Sequence, residues 1–130
     1  MVGWVRPRIS RRGKWTILDL VFTTGPTGSV ISPRGDLDAL SAPTFRVSVN
    51  GIEPGNSVLV DLSGVGFVDS VGLGALVGVV RRVRESGGTV VIASGGTATH
   101  RVLVATGFEA VAPLVTTLAE AEALVPGRDS

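Results

Sequence analysis

The sequence predicts an α/β fold in a single domain, and three observations carry that prediction. After an opening hairpin, apolar runs of strand length alternate with segments of helical period. Two of these runs, 57–62 (SVLVDL) and 89–93 (TVVIA), are almost unbroken in apolar character, as strands covered on both faces must be. Finally, a chain of 130 residues, 44% hydrophobic, can bury one real core and is too short for two full domains.

Taken in order, residues 1–14 show no period and read as a basic, disordered tail. The β-branched, apolar run 15–23 (WTILDLVFT) is the first expected strand, and the GPTG at 25–28 is turn chemistry that returns the chain into a second strand over 29–32. Pro33 and Gly35 are expected to end that ladder and open a loop, Gly35-Asp36-Leu37-Asp38. A short helix follows, with Leu40, Phe45 and Val49 turned inward and an end near Gly51. The strand at 57–62 comes next, then a glycine-broken loop over 63–68.

From Val71 the residues Leu73, Leu76, Val77, Val80 and Val83 recur at helical spacing, with Arg81, Arg82, Arg84 and Glu85 at the wet end and Gly87-Gly88 as the stop. A strand at 89–93, a helix at 97–105 ended by Gly107, a strand at 111–115 and a helix at 117–124 complete the pattern. The expected domain spans 15–126, with 127–130 as a C-terminal tail. Such alternation favours right-handed crossovers between parallel strands.

Composition removes several chemistries. With no cysteine there is no disulfide framework, thiolate metal site or cysteine nucleophile, and a lone histidine cannot build a multi-histidine metal centre. No metal and no cofactor are expected. No apolar run reaches the roughly 18 residues that cross a bilayer, and the basic start lacks a small-residue cleavage site, so a cytoplasmic protein without a membrane span is expected. The net charge of +1 hides an asymmetry: five basic groups and no acid lie in residues 1–18, against seven basic and eleven acidic groups in the remainder. A cationic tail can touch nucleic acid or anionic lipid, but the domain itself carries no basic patch, and direct nucleic-acid binding is not expected.

Ligands of open α/β sheets bind beyond the carboxyl ends of strands, which directs the search to the loops after 62 and 94 and to 35–38. Asp69-Ser70 stands where a loop becomes the longest helix. Two roles are open for Ser70: an N-cap that accepts an orphan N–H of the first turn, or the acceptor of a covalent phosphate, favoured there by free N–H groups and the helix dipole. Gly72, Gly74 and Gly78 have the wrong spacing and place for a dinucleotide fingerprint; close approach of helix to sheet is the expected reason for them. Asp36 and Asp38 fit turn and helix-start chemistry better than acid/base work, since no triad completes them. His100 fits a surface or packing role.

Together, Asp61-Leu62-Ser63 and Phe67-Val68-Asp69-Ser70-Val71-Gly72-Leu73 resemble the STAS-domain family, specifically its bacterial anti-sigma factor antagonists. Gly35-Asp36-Leu37-Asp38 resembles the family's G-E-L-D loop, Ala42-Pro43 the start of its first helix, Thr106-Gly107-Phe108 its T-G-L/F turn, and Ala119-Glu120-Ala121 its last helix. The likeness covers about residues 16–125.

This resemblance implies a mixed sheet of four to five strands flanked by about four helices, and a non-enzymatic protein that works by partner switching. It implies that the unphosphorylated antagonist binds an anti-sigma factor that is also a GHKL-type serine kinase, freeing a sigma factor. The kinase then phosphorylates the serine after the motif aspartate, here Ser70, and a PP2C-type phosphatase resets it. Asp36, Asp38, Asp69, Ser70, Val71 and Gly72 are the implied docking residues. The chain departs from the pattern at Val71, where many members have a second Ser or Thr, and at Asp36, where Glu is common. A STAS subunit of another assembly, such as a lipid-transport accessory or a stressosome-type scaffold without a phospho-switch, is the alternative. The opening hairpin at a sheet edge also leaves room for a homodimer.

Overall fold

The computed structural model describes residues 8–9, 15–16, 19–25, 28–96 and 98–125. In chain order the strands are β1 (Arg8–Ile9), β2 (Trp15–Thr16), β3 (Asp19–Gly25), β4 (Gly28–Leu37), β5 (Ser57–Asp61), β6 (Val65–Val68), β7 (Thr89–Ala93) and β8 (Leu114–Val115). The helices are α1 (Ala42–Val47), α2 (Ser70–Glu85), α3 (Ala98–Ala105) and α4 (Leu118–Ala123). A six-stranded mixed sheet runs β3-β4-β5-β7-β8, with β6 paired to β4 beside that path. Only β3 against β4 is antiparallel in it; the other pairings are parallel.

The expected alternation of strands and helices is present, and the differences are local. Within the stretch read as a tail, Arg8–Ile9 pairs antiparallel with Trp15–Thr16; the other positions of 1–14, and 126–130, lie outside the described residues. The first expected strand includes β2 and β3, with 17–18 outside the described residues, and β3 forms the hairpin with β4, Gly25 opposite Gly28.

The larger correction concerns β4, which does not stop at Ser32 but continues through Pro33 and Gly35 to Leu37. Its first half pairs with β5 over Ser29–Ile31 and its second half with β6 over Gly35–Leu37. The Gly35 N–H donates across to Gly64 O at 3.0 Å, so Pro33, two residues earlier, turns its missing N–H to the same side. That side is the gap between β5 and β6, where no ladder bond is required. Gly35 sits at the register shift that follows, with φ of +119°, a value that L side chains rarely adopt. The same pairing converts part of the expected loop 63–68 into β6.

At the far edge the expected strand 111–115 shrinks to Leu114–Val115. Val111 and Ala112 donate back to Phe108 O, closing a 3-10 turn over Phe108–Ala110, and Pro113 contributes only its carbonyl, to Ile92 N–H at 2.9 Å.

Burial divides by strand parity. Val58, Val60, Val90 and Ile92 face a large cluster with Phe45 of α1 and Leu76, Val79, Val80 and Val83 of α2, joined by Leu103 of α3 and Phe108. Their neighbours Leu59, Val91 and Ala93 face the other way, onto Ala121 of α4 and Val125. Each fully buried Leu or Val in this sandwich stabilises by about 1.5–3 kcal/mol relative to exposure. α4 is held by a reciprocal cap, in which Thr117 accepts from Glu120 N–H while Glu120 accepts from Thr117 N–H at 3.0 Å.

Candidate functional site

The chain crosses from β6 into α2 at Asp69, in extended conformation, and Asp69 rather than Ser70 is the N-cap. Its Oδ1 accepts from Gly72 N–H at 2.8 Å, and its Oδ2 accepts from Ala39 N–H at 3.3 Å. Its own N–H donates to Leu37 O at 3.2 Å. One carboxylate therefore ties the start of α2 to the turn that leaves β4. Of the two roles open for Ser70, capping is thereby taken by its neighbour. Ser70 is the first residue of α2, exposed, and its hydroxyl has no partner among the described residues.

The facing turn is as firmly built. Asp38 Oδ1 accepts from Leu40 and Ser41 N–H, both at 3.0 Å, while Ser41 Oγ accepts from Asp38 N–H at 3.0 Å and donates to Asp36 O at 2.8 Å. Asp38 thus spends one carboxylate oxygen on shaping the 38–41 turn. Asp36 is exposed, and its register partner across the β4–β6 ladder is Phe67, also exposed; partners in register emerge on one face of a sheet. Phe67 at 45% and Val71 at 42% exposure flank the Asp69-Ser70 step, so the outer surface here is an apolar pair around one hydroxyl, edged by a carboxylate.

Gly72 lies beneath this surface. A Cβ there would stand 1.9 Å from Leu37 O, so α2 approaches β4 as closely as a backbone can. That is the close approach expected of the glycine cluster, but it holds at Gly72 alone. At Gly74 the nearest group is Arg46 Nη2 at 3.8 Å, and at Gly78 nothing lies within 4 Å.

A family model for the STAS domain matches residues 19–121. The chain belongs to the STAS-domain family. Among solved structures, this STAS domain is similar to an anti-sigma factor antagonist from Mycobacterium paratuberculosis, with 31% identity, 82% of this chain and 92% of the other covered, and a TM-score of 0.68. It is similar to an anti-sigma-factor antagonist (STAS) domain protein from Planctomyces limnophilus at 28% identity, covering 82% and 97%, with a TM-score of 0.67. Bacillus SpoIIAA, solved in its phosphorylated form, shares the fold at 18% identity, 78% and 95% coverage and a TM-score of 0.57. No match is found among curated proteins.

Of the residues singled out from sequence, the STAS fold brings Asp38, Asp69, Ser70 and Gly72 together through the bonds and close approach described, with Asp36 and Val71 on the outer surface. It separates His100 from them: the His100 ring meets the Ser94 hydroxyl through Nδ1, and Ser94 is fully buried at the end of β7. Sequence reasoning missed Phe67 on this surface and Arg46 on the adjoining α1–α2 face. Phe67 carried a signal, an aromatic residue beside Gly66 in a short segment, but its exposure depends on the β4–β6 pairing. Arg46 carried none, because its place over Gly74 arises from the packing of α1 on α2. Clefts of about 420 Å³ line the C-terminal half of α2, one of them beside Ile52, Glu53, Arg82 and Ser86, away from Ser70. No helix among the described residues is long and apolar enough to cross a membrane.

Proposed function

We propose that this STAS domain is an anti-sigma factor antagonist that binds an anti-sigma factor serine kinase of the GHKL type, and that phosphorylation of Ser70 ends the binding. The observation that carries the reading is the division of labour at the helix start. Asp69 holds the cap alone, so the exposed Ser70 hydroxyl can be modified without breaking any bond that supports the fold. In the transfer, Ser70 Oγ attacks the γ-phosphorus of ATP, the bond to the β-phosphate oxygen breaks and ADP leaves. The hydroxyl proton passes to a base of the kinase. Hydrolysis by a PP2C-type phosphatase restores the serine and releases inorganic phosphate.

The switch follows from charge. Phe67 and Val71 offer apolar contact to a partner, and a phosphate between them adds about −1.5 to −2 charges beside Asp69 and Asp36. Burying that dianion in the same interface is costly unless a cation meets it. The similarity to anti-sigma factor antagonists supports the partner class, and the phosphorylated form of a protein with the same fold supports the chemistry. A cycle that consumes ATP belongs in the cytoplasm.

The test is intact mass after incubation with candidate anti-sigma kinases and ATP, with Ser70→Ala as control. A gain of one phosphate that the control lacks is the expected result. Tight binding to another protein with no modification by any candidate kinase would instead point to a constitutive STAS scaffold.

A further inference from the structure

We propose that Arg46 is the internal counter-ion of the phosphorylated Ser70 side chain, an inference that rests on the reading of Ser70 as phosphoacceptor. Arg46 projects from α1 onto α2 and is exposed, with no carboxylate partner among the described residues. Its Nη2 lies 3.8 Å from the point where a Cβ of residue 74 would stand. Position 74 is one turn after Ser70 on the same helix face, and Cα–Cβ bonds tilt toward the helix N-terminus. The guanidinium therefore rests along the face that Ser70 heads. Positions four apart on a helix have Cβ atoms about 5–6 Å apart, which puts Nη2 at most about 10 Å from Ser70 Cβ. A phosphate reaches further than a hydroxyl, and a rotamer change of an exposed arginine closes the remainder.

Gly74 favours this reach, because no side chain at that position separates the guanidinium from position 70. The surrounding charges give the pairing its consequence. Asp69 and Asp38 each have oxygens engaged by backbone N–H groups, and Asp36 is exposed nearby. A dianion at position 70 is repelled by the adjacent Asp69 and by the other two acids, and Arg46 of α1 offers it the opposite charge. The arginines described from α1 to α3 are placed elsewhere: Arg81, Arg82 and Arg84 lie about 16–21 Å further along α2 and Arg101 on α3, while Arg34 of β4 packs against Gly64. A planar guanidinium also suits phosphate in a two-point contact. Phosphorylation then changes the surface twice, adding an anion at position 70 and withdrawing a cation from the α1–α2 face that a partner would meet.

The experiment places phosphoserine at position 70 during translation, which needs no kinase, and follows its second ionisation by ³¹P NMR. In the otherwise unchanged protein at low salt, the midpoint should lie about half a unit below that of Arg46→Gln. Arg46→Lys should fall between them, and the difference should shrink in high salt. Equal midpoints in the unchanged protein and Arg46→Gln would overturn the inference. Thermal melts of the unphosphorylated variants check that the exposed substitution leaves the fold intact. If no kinase modifies Ser70, the proposed function fails while this titration still reports on Arg46, so the two failures are distinguishable.

Discussion

The same substitution at two positions of α2 should shift stability in opposite directions. Gly72→Ala places a methyl carbon 1.9 Å from Leu37 O, 2.5 Å from Leu37 C and 3.1 Å from Leu37 Cγ. The first two atoms are backbone, held by the β4–β6 ladder, and cannot rotate aside. Reaching ordinary contact near 3.4 Å requires about 1.5 Å of movement. That movement pulls on the Asp69 N–H to Leu37 bond and on the Asp69 carboxylate bridge to Ala39. Overpacking costs about 1–3 kcal/mol, a weakened cap about 1 kcal/mol, and the better helix propensity of alanine returns up to about 1 kcal/mol. The net is a loss of about 1–4 kcal/mol. Gly78→Ala meets nothing within 4 Å and keeps only the propensity gain, up to about 1 kcal/mol. Urea denaturation of both variants, with the slope checked for constancy, measures the difference. Shifts of the two midpoints in the same direction would refute the reasoning, since close approach would then not separate the two glycines.

Asp69→Ala should cost about 1–2 kcal/mol by stripping acceptors from Gly72 and Ala39, whereas Asp69→Asn, which keeps an Oδ1 acceptor, should cost less than half of that in the same denaturation assay. Equal losses would show that charge, not cap geometry, holds the junction. Ser70→Ala should retain the kinase and no longer release it in ATP, while Ser70→Asp should weaken binding by roughly tenfold in titration calorimetry. Phe67→Ala should leave the melting curve within about 0.5 kcal/mol of wild type, as for an exposed side chain, yet lower kinase affinity roughly tenfold or more.

Sequence patterning was informative wherever one physical signal acted alone. The strands at 57–62 and 89–93 were legible because burial on both faces leaves almost no polar residue in them, and α2 because its apolar positions keep one helical period up to a double-glycine stop. Ser70 and Asp69 were legible as a helix start, but not which of the two caps it, because that depends on the extended backbone at Asp69 and on Ala39, thirty positions away. Pro33 and Gly35 misled because both residues weaken a strand in isolation; here one falls opposite a gap in the sheet and the other at a bulge. β6 escaped for the same reason, Gly66 within it and Gly64 just before it outweighing a pairing made with Gly35–Leu37. The spacing of Gly72, Gly74 and Gly78 suggested one common cause, whereas only the first touches the sheet.

The two-sided core also has a dynamic consequence. One face of β5 and β7 is sealed by the large cluster with α1 and α2, while the other is sealed by α4, a helix of six residues, and Val125. A short helix carrying little apolar contact opens at a lower free energy than the whole domain. Detachment of α4 would bare Leu59, Val91 and Ala93 to water while the α2 face, and the Ser70 corner with it, stayed assembled. In hydrogen exchange α4 should accordingly behave as a unit of its own, losing protection before the strands it covers, with the half of the domain that carries the candidate switch exchanging more slowly than the half that lids the sheet.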